Sequence, residues 1–243
     1  MIGPDESAGR QLYDRFWSKA HIWSPTVWPE WVVVRELLLP EYGRVLEIGA
    51  GKRPRVPIEH SFFADLSWEA GYALAQLGSK AVAADGHCLP FCSSYFDLIV
   101  AAEILEHIND DQGALKEWNR VLKRGGRLVL TVPLHSELWT DFDRMVGHVR
   151  RYEPADLHDK LEQAHFRLER YTLDRVPLYR RTKQLEAAVL TVNPRLAMWL
   201  EDRLVMPLAI KLRRRIRRLD WHTQLAQENT PGAAAMLAVY VRP

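Results

Sequence analysis

The chain has 243 residues, 47% of them hydrophobic, so it can bury one substantial core and a single domain is expected. Its 33 lysines and arginines nearly balance its 31 aspartates and glutamates, and the net charge of +2 argues against nucleic acid as a main partner. Two cysteines, Cys88 and Cys92, are too few for a secreted disulfide scaffold, and neither a signal peptide nor a membrane-spanning apolar stretch is evident, so a cytoplasmic location is expected.

The first 41 residues carry apolar and aromatic side chains at helical spacing, from Leu12 and Phe16 to Trp31 and Leu38. This spacing predicts two short helices that end near Pro40. We interpret them as an N-terminal helical cap ahead of the main fold.

Residues 42–175 alternate short apolar runs with helical patterns, which is typical of an α/β, doubly wound, mostly parallel sheet. The apolar runs predict strands at residues 44–48, 61–64, 81–84, 96–101 and 127–132. The helical patterns predict helices at residues 68–77, 111–122 and 154–164, with "KRGG" at 123–126 as the glycine stop of the second. A strand-like "RLERYTLD" follows at 167–174, then a helical insertion at 176–232 and a last strand at 233–243.

The segment "RVLEIGAGKRPRVP", residues 44–57, places two glycines directly after the first strand. A glycine turn at a strand end lets the backbone approach a ligand closely. The Lys-Ser/Thr pair of a phosphate loop and the third glycine of a dinucleotide fold are both missing. Glu47 suits a ligand with positive charge and hydroxyl groups, and prolines 54 and 57 predict that the first crossover helix is shortened or absent. A tight turn without a ligand is the alternative.

Carboxylates follow the next three predicted strands. Asp65 comes just after the second strand, where it can accept two hydrogen bonds from a ribose diol, and Asp85 follows the third, where it can accept from the amine of an adenine. Glu103 and His107 end the fourth strand over the same cleft. For each aspartate, an ordinary surface turn is the alternative.

The blocks "VLEIGAG", "ADLS", "DGHCLPF", "FDLIVAAEILEHI" and "RVLKRGGRLVLTVP" resemble, in this order, the class I S-adenosylmethionine-dependent methyltransferases that act mostly on small molecules, a group similar to methyltransferase type 11. The resemblance covers residues 44–175 and implies S-adenosyl-L-methionine as cofactor. It also implies a Rossmann-like seven-stranded sheet with an antiparallel last strand. The cofactor-binding residues that it implies are Glu47, Gly49, Ala50, Gly51, Asp65, Leu66, Asp85, Gly86 and Glu103.

A second block, "HSELWTDFDRMVGHVRRYEPADL", follows the fifth strand and is similar to a stretch in members of this group that modify sugars, lipid-linked molecules and natural products. It is expected to hang over the transferred methyl group. The candidate acceptor-binding residues are therefore His135, Asp143, Arg151 and Tyr152. An ion pair between Asp143 and Arg151 that only holds the loop is the alternative.

Histidine is the side chain best suited to take a proton near neutral pH, so His148 and His107 are the candidate general bases. A hydrogen-bonded scaffold histidine is the alternative at each position. No metal site is predicted, because Cys88 and Cys92 with His87 lack a second pair of ligands.

The predicted function is methyl transfer to a small molecule, with a hydroxyl of a natural product or sugar-containing metabolite favoured over nitrogen or carbon. A basic amphipathic pattern at residues 204–219 admits peripheral membrane contact, and hence a lipid-linked glycan as acceptor. The further alternatives are a non-catalytic cofactor-binding partner and a nucleic-acid-binding protein. The oligomeric state is left open.

Overall fold

The computed structural model describes residues 20–38, 43–174, 220–224 and 232–243, and the single positions 183, 184, 188, 203 and 207. The first of the two predicted N-terminal helices, most of the predicted insertion 176–232 and nearly all of the basic segment 204–219 lie outside the described residues. Predictions for these parts therefore stay predictions.

The described chain forms one seven-stranded sheet with the order β3-β2-β1-β4-β5-β7-β6. The strands are β1 Val45–Ile48, β2 Phe62–Asp65, β3 Lys80–Ala83, β4 Phe96–Ala102, β5 Leu122–Pro133, β6 Arg167–Asp174 and β7 Ala235–Val241. Strands β1 to β5 pair in parallel, whereas β7 runs antiparallel to both β5 and β6. This confirms the predicted doubly wound sheet with its antiparallel last strand.

Five α-helices of the described residues cover the sheet. They are α1 Trp31–Leu37, α2 Trp68–Ala75, α3 Asp111–Val121, α4 Asp141–Val146 and α5 Pro154–Gln163. Each of α2, α3 and α5 begins at the residue that the sequence predicts. Side-chain caps explain two of these starts, since Ser67 accepts from the amide of Ala70 and Asp110 accepts from the amide of Gly113.

The prediction that "KRGG" at 123–126 stops α3 is wrong. The helix ends at Val121, and Leu122 already has extended backbone, with φ −75° and ψ 141°. Strand β5 therefore starts directly at Leu122 and contains the two glycines. Because Leu122 is buried and apolar, it can follow the helix directly and begin the strand, so the two elements meet without a loop.

No helix connects β1 to β2 in the described residues 49–61, as the prolines predict. The connection is instead a buried turn in which Glu47 accepts hydrogen bonds from the amides of Arg55 and Val56. The Arg55 guanidinium lies 4.0 Å above the ring of Trp28, which ties the N-terminal segment to this turn.

Helix α1 packs as a layer of the core. Its Val33 and Val34 are fully buried in one apolar cluster with Val56 of the β1–β2 connection and with residues of β1, β4, β5 and β7. Leu74 of α2 belongs to the same cluster, while α3 and α5 fill the cluster on the opposite face of the sheet. Within the described residues, no helix has the length and apolarity needed to cross a membrane.

Candidate functional site

A cleft opens at the carboxyl ends of β1, β2, β3 and β4, where the strand order reverses between β1 and β4. This switch point is where doubly wound sheets bind their ligands. Six of the nine predicted cofactor residues line the cleft, namely Gly49, Asp65, Leu66, Asp85, Gly86 and Glu103. Apolar walls come from Ile48, Ile104 and Ile108, so the cleft combines carboxylates with apolar surface.

The two turn glycines have backbone angles that favour glycine, with φ +69° at Gly49 and +53° at Gly51. A side chain at Gly49 would also collide with Ile104, because the Cβ position lies 2.5 Å from Ile104 Cδ1. Gly51 and Ala50 lie next to the cleft lining, and the amide of Gly51 donates to Asp65 Oδ2 at 2.7 Å. The turn is thereby fixed to the end of β2.

Asp65 and Asp85 reach the same cleft from neighbouring strand ends. Asp65 is buried and accepts from the amides of Gly51 and Ser67, one at each carboxylate oxygen. Each carboxylate oxygen has two lone pairs and can accept more than one hydrogen bond. Asp85 contacts His87 Nδ1 at 2.7 Å through its Oδ1.

Glu47 holds the loop and is not among the residues that line the cleft, so its predicted contact with the cofactor stays a prediction. Its buried carboxylate accepts from the amides of Arg55, at 2.8 and 3.0 Å, and Val56, at 3.1 Å. Burial raises the pKa of Glu47 to about 8, against the opposing effects of the Arg55 charge and the two amides. The acid at the strand end therefore shapes the turn.

Glu103 sits at the tip of β4 with φ +54°, an uncommon backbone conformation for a side chain of this size. Its amide donates to the carbonyl of Thr131, which fixes the tip of β4 to β5. The side chain opens into the cleft, while the protein packed around it raises its pKa, an effect that the charge of His148 opposes.

The segment after β5 is organised by Asp143, which is fully buried. Its carboxylate accepts from the amide and hydroxyl of Thr140, from Nδ1 of His148 and from two nitrogens of Arg151, all at 2.8–2.9 Å. Burial disfavours the ionised carboxyl, but these donors outweigh it and hold the pKa of Asp143 well below its usual range. Asp143 and Arg151 thus form a buried ion pair that holds the loop.

The other two candidate acceptor-binding residues also face the protein. Tyr152 is buried and donates to Asp111 Oδ2 at 3.0 Å, and burial together with that carboxylate raises its pKa. Nδ1 of His135 lies 2.9 Å from Glu153 Oε2. None of His135, Asp143, Arg151 and Tyr152 belongs to the lining of the cleft. Their role in binding the acceptor stays a prediction.

The two predicted bases are brought together. The rings of His107 and His148 lie 4.7 Å apart in an edge-to-face arrangement, and only His107 lines the cleft. Burial and the neighbouring His148 lower the pKa of His107 to about 3. Their common neighbour is Glu106, which the sequence analysis missed. The sequence signal that could have identified Glu106 is an acidic residue inside the apolar stretch "AAEILEHI", where burial is expected.

Comparison with known proteins finds similarity to methyltransferases. The sequence profile of a family described as "Methyltransferase domain" matches residues 62–130. An uncharacterized protein of Methanocaldococcus jannaschii is 34% identical over 91 residues, 37% of this chain and 44% of that protein. A ubiquinone/menaquinone biosynthesis C-methyltransferase of Francisella tularensis subsp. novicida is 37% identical over 67 residues, 25% of this chain and 27% of that enzyme. The chain thus spans less than half the length of these relatives.

A solved structure is similar over the full length of both chains. It is geranyl diphosphate C-methyltransferase from Streptomyces coelicolor, in complex with Mg²⁺, geranyl diphosphate and S-adenosyl-L-homocysteine, with a TM-score of 0.61 and 11% sequence identity. This chain shares the Rossmann-like methyltransferase fold of that structure, and its residues 62–130 match a methyltransferase family in sequence.

Proposed function

We propose that this protein transfers the methyl group of S-adenosylmethionine to a small-molecule acceptor. The observation that carries the proposal is the cleft at the four strand ends, with Asp65 and Asp85 at neighbouring tips and Gly49 beside them. The chemistry of these residues fits the cofactor. Carboxylates suit its ribose hydroxyls and exocyclic amine, and the apolar side chains of Ile104 and Ile108 suit its purine ring.

When bound, the cofactor supplies a methyl group made electrophilic by the sulfonium. The protein then has to align the acceptor and, for a hydroxyl, to take up its proton. Glu103 lines the cleft, and its carboxylate is able to accept a proton. It supports a hydroxyl group as the acceptor.

Transfer to carbon is the second candidate. It is favoured by the sequence similarity to the Francisella C-methyltransferase and the structural similarity to the Streptomyces one. Both candidates use the same cofactor cleft, so the product decides between them. With a cofactor carrying ¹³C in its methyl group, NMR spectra of the product distinguish a methoxy group from a methyl group on carbon.

Cofactor binding is tested first by substitution of Asp65. We expect Asp65→Ala to weaken the binding of S-adenosylhomocysteine, measured by calorimetry, by roughly 1.5–3 kcal/mol, because hydrogen bonds to a charged group are lost. The matched control is Asp141→Ala, which removes an exposed carboxylate on α4 that pairs only with Arg144 across one helix turn. Wild-type affinity in Asp65→Ala would show that the ribose lies elsewhere.

A further inference from the structure

We propose that Glu106, His107 and His148 form a binding site for one divalent transition-metal ion of the zinc type at the wall of the cleft. Each residue offers one ligand atom, and these three atoms lie within 4.8 Å of one another. The sequence analysis predicts no metal, because it considers only the cysteines. The geometry points to a different donor set.

The Glu106 carboxylate gives the first independent indication. It is completely buried, and neither of its oxygens has a hydrogen-bond partner among the described residues. A buried carboxylate without partners is costly, so such a group is paired, protonated or bound to a cation. Nε2 of His148 lies 3.7 Å from Oε1. That separation is too long for a hydrogen bond.

The same separation suits two ligands of one ion. Zinc binds imidazole nitrogens and carboxylate oxygens at about 2.0–2.2 Å, so tetrahedral neighbours stand roughly 3.3–3.6 Å apart. The 3.7 Å between Glu106 Oε1 and His148 Nε2 lies just above this range. Two imidazoles and one carboxylate are a donor set that zinc and other first-row transition metals accept, whereas Mg²⁺ and Ca²⁺ favour oxygen ligands alone.

In both histidines, the ring nitrogen that would not bind the ion has a hydrogen-bond partner typical of a metal-ligating histidine. His148 has its Nδ1 2.9 Å from Asp143 Oδ1, the arrangement by which a carboxylate orients a ligating imidazole. His107 has its Nδ1 3.2 Å from the carbonyl of Gly147, so that nitrogen carries the proton and Nε2 keeps the lone pair. Asp143 therefore fixes a ligand as well as the loop.

Two separate parts of the chain build the site. Glu106 and His107 lie in the short 3-10 helix Leu105–His107 after β4, and His148 follows the end of α4 at Gly147. The Val149 amide donates to the carbonyl of Glu106, which holds the two segments together. Since His107 lines the cleft, the ion would lie at the wall of the cleft. Binding of an acceptor oxygen to the ion rests on the proposed function, whereas the ion site itself does not.

The test is metal binding by the full chain, prepared without an affinity tag and stripped with a chelator. We expect one equivalent of Zn²⁺ to bind, and one equivalent of Co²⁺ to give visible absorption that Zn²⁺ abolishes. Glu106→Gln and His107→Gln are each expected to lower the affinity at least tenfold. The control His158→Gln alters a histidine that pairs with Glu162 on α5, and is expected to bind as the wild type does.

Two further variants distinguish this ion site from the exposed thiols and from the cofactor cleft. Cys88→Ser with Cys92→Ser removes the two exposed thiols, and the binding is expected to persist. Asp65→Ala is expected to keep the ion while binding the cofactor more weakly, so failure of the ion site and failure of the proposed function are distinguishable. Absence of stoichiometric Zn²⁺ and Co²⁺ binding in the wild type, or unchanged affinity in both Glu106→Gln and His107→Gln, would overturn the proposal.

Discussion

Gly49 has a positive φ, and its Cβ position is crowded by a neighbouring side chain. Its φ of +69° costs a residue with a side chain about 1–2 kcal/mol, and its Cβ position overlaps Ile104. Gly125 provides the comparison, because its φ of +74° is similar but nothing lies within 4 Å of its Cβ position. The two positions therefore separate the effect of the backbone angle from the effect of crowding.

We expect Gly49→Ala to lower the free energy of unfolding by roughly 1–3 kcal/mol more than Gly125→Ala, because only the first change forces Ile104 out of its place. Unfolding in urea measures both losses. Ile104 also lines the cleft, so Gly49→Ala is expected to weaken cofactor binding while Gly125→Ala leaves it unchanged. Equal losses of stability would show that Ile104 moves aside without cost.

The sequence predicts the cofactor residues better than the acceptor residues, and the reason is local. Asp65 and Asp85 follow buried strands, and the geometry of a parallel sheet brings such strand ends to one edge. Asp143 and Arg151 lie in a connection without such a constraint. Their charges are compatible with an acceptor pocket and with a buried ion pair. Only the packing of the loop shows that they form an ion pair.

At the scale of elements, the strands of the sheet follow from their composition. The parallel strands at its centre are buried on both faces and are continuous apolar runs, so their positions are predicted to within one or two residues apart from the start of β5. The missing helix between β1 and β2 is predictable from the prolines. The place of α1 is not, because an amphipathic pattern shows which residues are buried but not what covers them.

The segment 140–152 is held to the fold through one carboxylate. Asp143 accepts from the N-cap residue Thr140, from His148 and from Arg151, whose side chain is fully buried. Removing the carboxylate leaves the guanidinium without its charged partner in the interior. The segment thus depends on an ion pair whose two members are both inaccessible to water.

We expect Asp143→Ala to lower the free energy of unfolding by about 3–5 kcal/mol, the usual cost of removing one member of a buried pair. The control Asp141→Ala lies on the same helix at 72% side-chain exposure and is expected to cost less than about 1 kcal/mol. Urea unfolding measures both. A stable Asp143→Ala protein with a raised KM for the acceptor would instead support the predicted role of Asp143 in the acceptor pocket.

At the scale of the whole molecule, the two faces of the sheet are covered by different parts of the chain. Helices α3 and α5 cover one face, whereas α2 and the N-terminal α1 cover the other. Because the β1–β2 connection has no helix, α1 packs against its Val56 and completes that face. The edge of the sheet that carries the cleft is therefore stabilised by residues that are distant from it in sequence.

This arrangement predicts that residues 31–37 unfold together with the sheet. Val33 is fully buried against it, while Val32 on the same helix is 52% exposed. Val33→Ala is expected to lower the free energy of global unfolding by roughly 1.5–3 kcal/mol, since buried methyl groups are lost and a cavity remains. Val32→Ala is expected to change it by less than about 0.5 kcal/mol. Amide exchange in β5 reports the global transition, and the Val33→Ala loss should appear there in full. Faster exchange confined to residues 31–37, with β5 unchanged, would show instead that the N-terminal helix is a separate cap.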